Sequence, residues 1–311
     1  MGSLLHSLSA VFVILILTAC GYICSVLGWV RPDAKAFISK YLMGIAIPVM
    51  CIYGLRTNLT LSLLRSSGKL LLVSAVLHGF LFLLSLWVGR ILRLPSKTRS
   101  VFVVMCTVSN AMLIGYPMCL ELFGEEAIPF VMVFFLANAA FAQLVGIPMI
   151  QRSGGQQGLP LGKILLNFFS NPCVIAILLG FFLILIDWTP PALVMNCARY
   201  ISNTVTPLGL LLAGHIVHEI GLRRLRMDRT LALCMMIRFL VSSGLCLLLC
   251  AIFGVTGLER SVVTALAAMP ALTQSVVAAA EYGADEQLGA KGVTLSTLAC
   301  FVVIPVLMLL L

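Results

Sequence analysis

The chain has 311 residues, 61% of them hydrophobic and only 10% charged, with a formal net charge of +9. Soluble domains carry roughly a quarter charged residues, so this composition excludes a water-soluble globular protein. The basic residues alternate between loops instead of clustering, which argues against nucleic acid as a partner.

About 20 apolar residues rising ~1.5 Å each cross a ~30 Å hydrocarbon core. Ten stretches approach that length, near 8–28, 37–55, 70–91, 100–121, 127–150, 171–188, 193–216, 230–252, 260–281 and 289–311. Within the first, Leu17–Cys20 resembles a lipoprotein cleavage box, but no Lys or Arg precedes it. A signal peptide normally has a basic n-region, so the first span is expected to stay uncleaved.

The Gly- and Gln-rich run Gln151–Pro160 marks the clear linker. It divides the chain into a first five-span repeat (1–150), a linker (151–162) and a second five-span repeat (163–311). An odd number of spans per half makes the second half enter the membrane from the opposite face. Punctuation agrees: Pro48 in span two is matched by Pro207 in span seven, and Asn110 in span four by Pro270 in span nine. The fold class expected is therefore an all-α membrane protein of ten transmembrane helices in two inverted five-helix repeats.

Spans four and nine carry the strongest signal. The first contains Ser109, Asn110, Gly115, Tyr116 and Pro117 in an otherwise apolar run, and the second Pro270, Thr273, Gln274 and Ser275. Proline removes a backbone donor and clashes with the preceding turn, so a helix opens there. An opened helix is tolerated at membrane depth only where protein or a watery cavity takes up the freed groups. Asn110 lies ten residues past Ser100, and Pro270 ten past Arg260. At 1.5 Å per residue both are roughly 15 Å deep, so the two discontinuous spans are expected to cross near the midplane. Paired breaks in inverted halves point to the substrate site of a secondary transporter. The half-helix N-termini gathered there would favour an anion.

The stretch Ser109–Ala127, with its Asn, Gly-x-Pro and closing Phe-Gly-Glu-Glu, resembles the auxin efflux carrier family, including its bacterial organic-acid members. Asn171-Pro172, Thr206–Gly214 and the run from Pro270 to Tyr282 extend the similarity. The resemblance implies a fold like that of the bile-acid/sodium symporters, with spans 1, 2, 6 and 7 as a panel and the rest as a moving core. It also implies elevator-type alternating access, frequent homodimers and carboxylate-bearing substrates. The long central loop of plant members is missing here, which places auxin itself in question.

Several embedded polar residues have two readings. Asn110 caps the second half-helix, alone or while touching substrate. Gln274, one turn past Pro270, either faces the cavity or bonds a neighbouring helix. Ser109, Thr273 and Ser275 carry less weight, because hydroxyls in membrane helices bond their own backbone. Asn138 sits mid-span and either faces the cavity or packs. Tyr116 closes the site or packs. Arg238 is either a structural or coupling cation, or snorkels to the interface along its stem. His78 and His215 read as satisfied structural histidines that could also titrate. Pro48 and Pro207 are expected to kink their spans and shape the cavity wall.

All eleven acidic residues fall in loops or at span ends. Cation/proton exchange needs an embedded carboxylate, so an interior suited to an anion is left. The cysteines form no CxxC pair, and neither a metal site nor a cofactor is expected. Fourteen Lys and Arg fall on one side of the ten spans and five on the other, with Arg238 between. The positive-inside rule then puts both termini on the non-cytoplasmic side of a cell membrane. A small-organic-anion carrier is the favoured function. A receptor without net flux, a sodium-coupled symporter of the same fold, and a membrane-embedded enzyme are the competing readings.

Overall fold

The computed structural model describes residues 2–156, 158–220 and 227–309, and their side chains except at 2–8, 61–67 and 220. The expected linker includes residue 157 and span ten includes 310–311, which lie outside the described residues. So do the side chains of Arg65, Arg223, Arg224 and Arg226, on which part of the orientation argument rests.

Thirteen helical segments are found among the described residues. They are α1 (Gly2–Val26), α2 (Pro32–Asn58), α3 (Leu61–Ile91), α4 (Ser96–Thr107), α5 (Ala111–Phe123), α6 (Glu125–Ser153), α7 (Leu161–Phe169), α8 (Pro172–Leu185), α9 (Ala192–Glu219), α10 (Arg229–Phe253), α11 (Gly257–Ala267), α12 (Gln274–Tyr282) and α13 (Glu286–Met308). Seven are long and apolar enough to cross a membrane, and α7 with α8, bent by 63°, would make an eighth. The protein is thus an all-helical, multi-pass membrane protein. Segments α4–α5 and α11–α12, where the breaks were expected, consist of shorter helices that do not reach this length. Helix α7 was not anticipated: it occupies the end of the expected linker and the approach to span six. Helix α9 is likewise interrupted by a turn at Asn203–Thr204.

Sequence explains the local irregularities. In α2, α5 and α6 the backbone widens into a π-type turn, at Leu42–Ala46, Ala111–Gly115 and Phe141–Gly146. Each is followed by a proline at the second position of the next helical stretch: Pro48, Pro117 and Pro148. A proline ring clashes with the carbonyl four residues back and gives no N–H, and a wider turn relieves both. Pro207 lies in the first turn after the interruption in α9, where no intrahelical donor is lost. Caps set other boundaries. Asn171, Asp228 and Asp285 accept from the backbone N–H of Cys173, Leu231 and Leu288.

The best-shielded backbone is that of the interrupted segments: residues 100–119 and 262–271 are buried throughout. The other helices wrap them. Helix α1 packs along α9, and α2 along α8, so each of the first two helices pairs with one from the other half of the chain. Helices α3, α6, α10 and α13 enclose the interrupted segments. The α1–α9 contact depends on glycine. A Cβ on Gly21 would stand 2.2 Å from the Leu211 carbonyl oxygen, and one on Gly214 would stand 2.0 Å from that of Thr18. Close backbone approach at small residues is how helices associate where lipid supplies no hydrophobic drive. Nearby, His215 Nδ1 lies 2.9 Å from Ser25 Oγ, which itself donates to the Gly21 carbonyl. This histidine is a satisfied link between α1 and α9.

Replacing Gly214 with Val forces these helices apart. Overpacking of this kind costs about 1–3 kcal/mol, and the variant should melt at a lower temperature than the parent in detergent. An unchanged melting curve would show that the glycine contact contributes nothing to stability.

Candidate functional site

The two breaks lie against each other. Ser109 and Ala271 form an isolated antiparallel bridge. Around it the Asn110 N–H donates to the Pro270 carbonyl at 2.8 Å, and the Leu272 N–H to the Val108 carbonyl at 3.2 Å. Backbone groups freed by unwinding one helix are thus satisfied by those freed in the other. Side chains complete the arrangement. The Asn138 amide reads the backbone of Ser109 at both ends: Oδ1 accepts its N–H and Nδ2 donates to its carbonyl, each at 2.9 Å. In the second break, Ser296 Oγ accepts the Ala271 N–H at 3.1 Å.

His78 stands behind Asn138. Its Nε2 lies 3.0 Å from Asn138 Oδ1 and its Nδ1 2.6 Å from the Ser74 carbonyl. The Ser109 backbone fixes the amide's orientation, so both ring nitrogens face oxygen acceptors. A neutral ring donates to one of them at a time. Phe134 and Phe141 pack on the ring at centroid distances of 5.3 and 5.5 Å.

On the other side of the crossing lies Arg238, 1% exposed, in a π-type turn at Ile237–Val241. It does not snorkel. Its Nη1 donates to the Cys106 carbonyl at 3.1 Å and its Nη2 to the Ala267 carbonyl at 2.7 Å. Ser242 Oγ also donates to Ala267, at 2.9 Å. Cys106 and Ala267 are in the last turns of α4 and α11, where carbonyls have no intrahelical donor.

Beside the breaks is a cavity of about 310 Å³. Ser109–Leu113 and Leu272–Gln274 form its floor, and Phe135, Asn138, Ala139, Ala142 and Gln143 of α6 one wall. Lys40, Met43 and Gly44 of α2 and Asn171–Cys173 at the start of α8 form the other. Lys40, which is exposed, is the one charged residue in this lining, and no carboxylate contributes. Asn110 Nδ2 donates to Thr273 Oγ1 at 3.0 Å, tying the two breaks together on the cavity side. Ala111–Leu113 are the first turn of α5, whose N–H groups lack intrahelical acceptors. The helix direction therefore separates polarity: carbonyl ends towards Arg238, N–H ends towards the cavity.

Of the ten residues expected at a substrate site, Ser109, Asn110, Asn138, Thr273 and Gln274 line the cavity. The other five lie outside the lining. Pro270 supplies the carbonyl that holds Asn110. Ser275 Oγ bonds the Leu272 carbonyl at 2.6 Å. Tyr116 and Pro117 are buried in the first turn of their helical stretch. A Cβ on Gly115 would meet Leu266 Cδ2 at 2.9 Å, so that glycine lets the two segments pack closely. Neither Pro48 nor Pro207 reaches the lining, although the widened turn before Pro48 contributes Met43 and Gly44. Lys40, which lies inside the second apolar stretch, was not among the residues expected at the site. The available signal was its position two residues before the irregular turn at Leu42–Ala46, which Pro48 follows.

A family described as "Membrane transport protein" matches residues 6–308. The chain belongs to this family. It is the auxin efflux carrier/membrane transport family to which the interrupted segments pointed. An uncharacterized transporter of Methanocaldococcus jannaschii is 24% identical over 307 residues, covering 96% of each chain. Another uncharacterized transporter, from Methanothermobacter thermautotrophicus, is 25% identical over 304 residues, again covering 96% of each. The protein is accordingly a membrane transporter and not an enzyme.

Replacing Asn138 with Leu removes both partners of the Ser109 peptide and one of His78. Each buried polar group left unsatisfied costs about 1–3 kcal/mol. Asn138→Leu should therefore lower the melting temperature in detergent well below that of a neutral surface variant such as Lys163→Gln. Equal stability of the two would mean that the amide does not hold the break.

Proposed function

We propose that the protein is a secondary carrier for a small organic anion, a mono- or dicarboxylate, which it binds in the cavity beside the crossed breaks. One observation carries this reading. The cavity is floored by the N-terminal turn of α5 and by Thr273–Gln274, has Lys40 at its exposed end, and has no carboxylate in its lining. Helix N-termini offer N–H donors and positive dipole, and a lysine adds a full positive charge. A carboxylate would be held by Asn110, Gln274 and the open N–H groups, with Lys40 drawing it in. The volume, at the low end for ligand pockets, suits a small molecule.

The wider architecture follows from the same reading. Two inverted five-span repeats, 1–150 and 163–311, joined by 151–162, would explain why α1 pairs with α9 and α2 with α8. It would also explain why each break is held by a side chain from the helix after it, Asn138 in one half and Ser296 in the other. The α1–α2–α8–α9 panel stays fixed while the interrupted segments and the helices around them move as an elevator, presenting the cavity to each side in turn. The carrier sits in the cell membrane with both termini outside, as a homodimer.

Uptake of radiolabelled mono- and dicarboxylates into proteoliposomes tests the assignment, and absence of carboxylate flux with intact protein would refute it. Asn110→Leu and Gln274→Leu should each abolish flux while the protein stays folded; normal transport by both would remove the crossing as the binding site. Lys40→Gln should raise the half-saturating substrate concentration about tenfold, equivalent to ~1.4 kcal/mol, and leave the maximal rate near that of the parent. A fall in maximal rate alone would contradict a capture role.

A further inference from the structure

The guanidinium of Arg238 sits where two helix C-termini from opposite halves of the chain converge, and no carboxylate among the described residues pairs with it. Among the described residues the ion pairs are Lys35–Glu219 and Arg56–Asp187, both at exposed positions. The charge of Arg238 is balanced instead by the carbonyls of Cys106 and Ala267 and by the negative ends of α4 and α11. Its Nε is buried without a hydrogen-bond partner. A desolvated cation on backbone carbonyls at half-helix C-termini is how transporters with broken helices hold a coupling ion such as Na⁺. Here the cation is attached to the chain.

We propose that Arg238 is a tethered cation that occupies the ion site formed by the crossed half-helices, so that the carrier takes up no inorganic cation there. The local sequence fits this role. The π-type turn at Ile237–Val241 has no proline after it, unlike those before Pro48, Pro117 and Pro148. Its effect is to turn residue 238 inward. Counting back by the 160 positions that separate Asn110 from Pro270 gives His78, which supports the Ser109 side of the crossing through Asn138. The two basic side chains therefore support the crossing from corresponding places, but only Arg238 touches both segments. Arg238 is thus a positioning residue that keeps the two breaks in register through the transport cycle. The consequence for coupling, flux independent of Na⁺, rests on the carrier reading above; the occupancy of the site does not.

The test uses the purified full-length protein in detergent, with NaCl exchanged for choline chloride at constant ionic strength. The parent should melt at the same temperature in both salts. Arg238→Ala should melt about 5 °C lower or more and recover saturably with millimolar methylguanidinium chloride, or with Na⁺, but not with choline. Arg238→Lys should need no added cation. A saturable rise of the parent's melting temperature with NaCl would overturn the proposal, because the ion site would then be free. So would an Arg238→Ala variant that all three cations affect alike. If Arg238→Ala does not fold, the parent titration and the Arg238→Lys variant still decide. In proteoliposomes, carboxylate flux should be unchanged when Na⁺ is replaced by choline. Loss of all flux with the melting pattern intact would remove the carrier reading and leave the tethered cation standing.

Discussion

The pairing of Ser109 with Ala271 is the contact on which the rest of the structure depends. Two helices are unwound inside the most shielded part of the protein, and unwinding releases N–H and C=O groups that hydrocarbon cannot satisfy. They satisfy each other: Asn110 to Pro270 and Leu272 to Val108 across the break, with Asn138 and Ser296 holding the bridge residues from the sides. Neither segment could adopt this conformation alone. The small residues that crowd the crossing, such as Gly115 against Leu266 and Met269, follow from the need to bring two backbones within hydrogen-bonding distance.

Polarity at the crossing is set mainly by helix direction. Each interrupted segment presents a carbonyl end and an N–H end. The carbonyl ends of α4 and α11 meet the guanidinium of Arg238, whereas Ala111–Leu113 and Thr273–Gln274 meet the cavity. The cavity thus combines helix N–H ends with a single lysine in its lining, and a single arginine lies against the carbonyl ends. Carboxylates lie in loops or towards the ends of the helices, where Asp228 and Asp285 cap and Asp187 and Glu219 form ion pairs of small worth.

Much of this was legible in the chain. The two breaks were visible as proline and amide residues inside apolar runs, because helix-breaking chemistry is local. Family membership was visible for the same reason. The number of long spans was less clear: hydropathy gave ten, whereas seven or eight helices meet a length criterion, since a break halves a segment without changing its composition. The kink between α7 and α8 was missed because the residues of α7 read as the edge of a linker.

Sequence alone determined the solvent, the class and the places where the helices open, since each depends on residue type and spacing. Tertiary structure decided which side chains do what at the opening. Asn138 could not be assigned to the Ser109 backbone from 29 positions away, nor Arg238 to two carbonyls in different halves. Lys40 became part of the cavity only when α2 was laid against α8 and the breaks. These are long-range pairings, and the energy of a buried hydrogen bond depends on the partner that folding supplies, which no local pattern encodes.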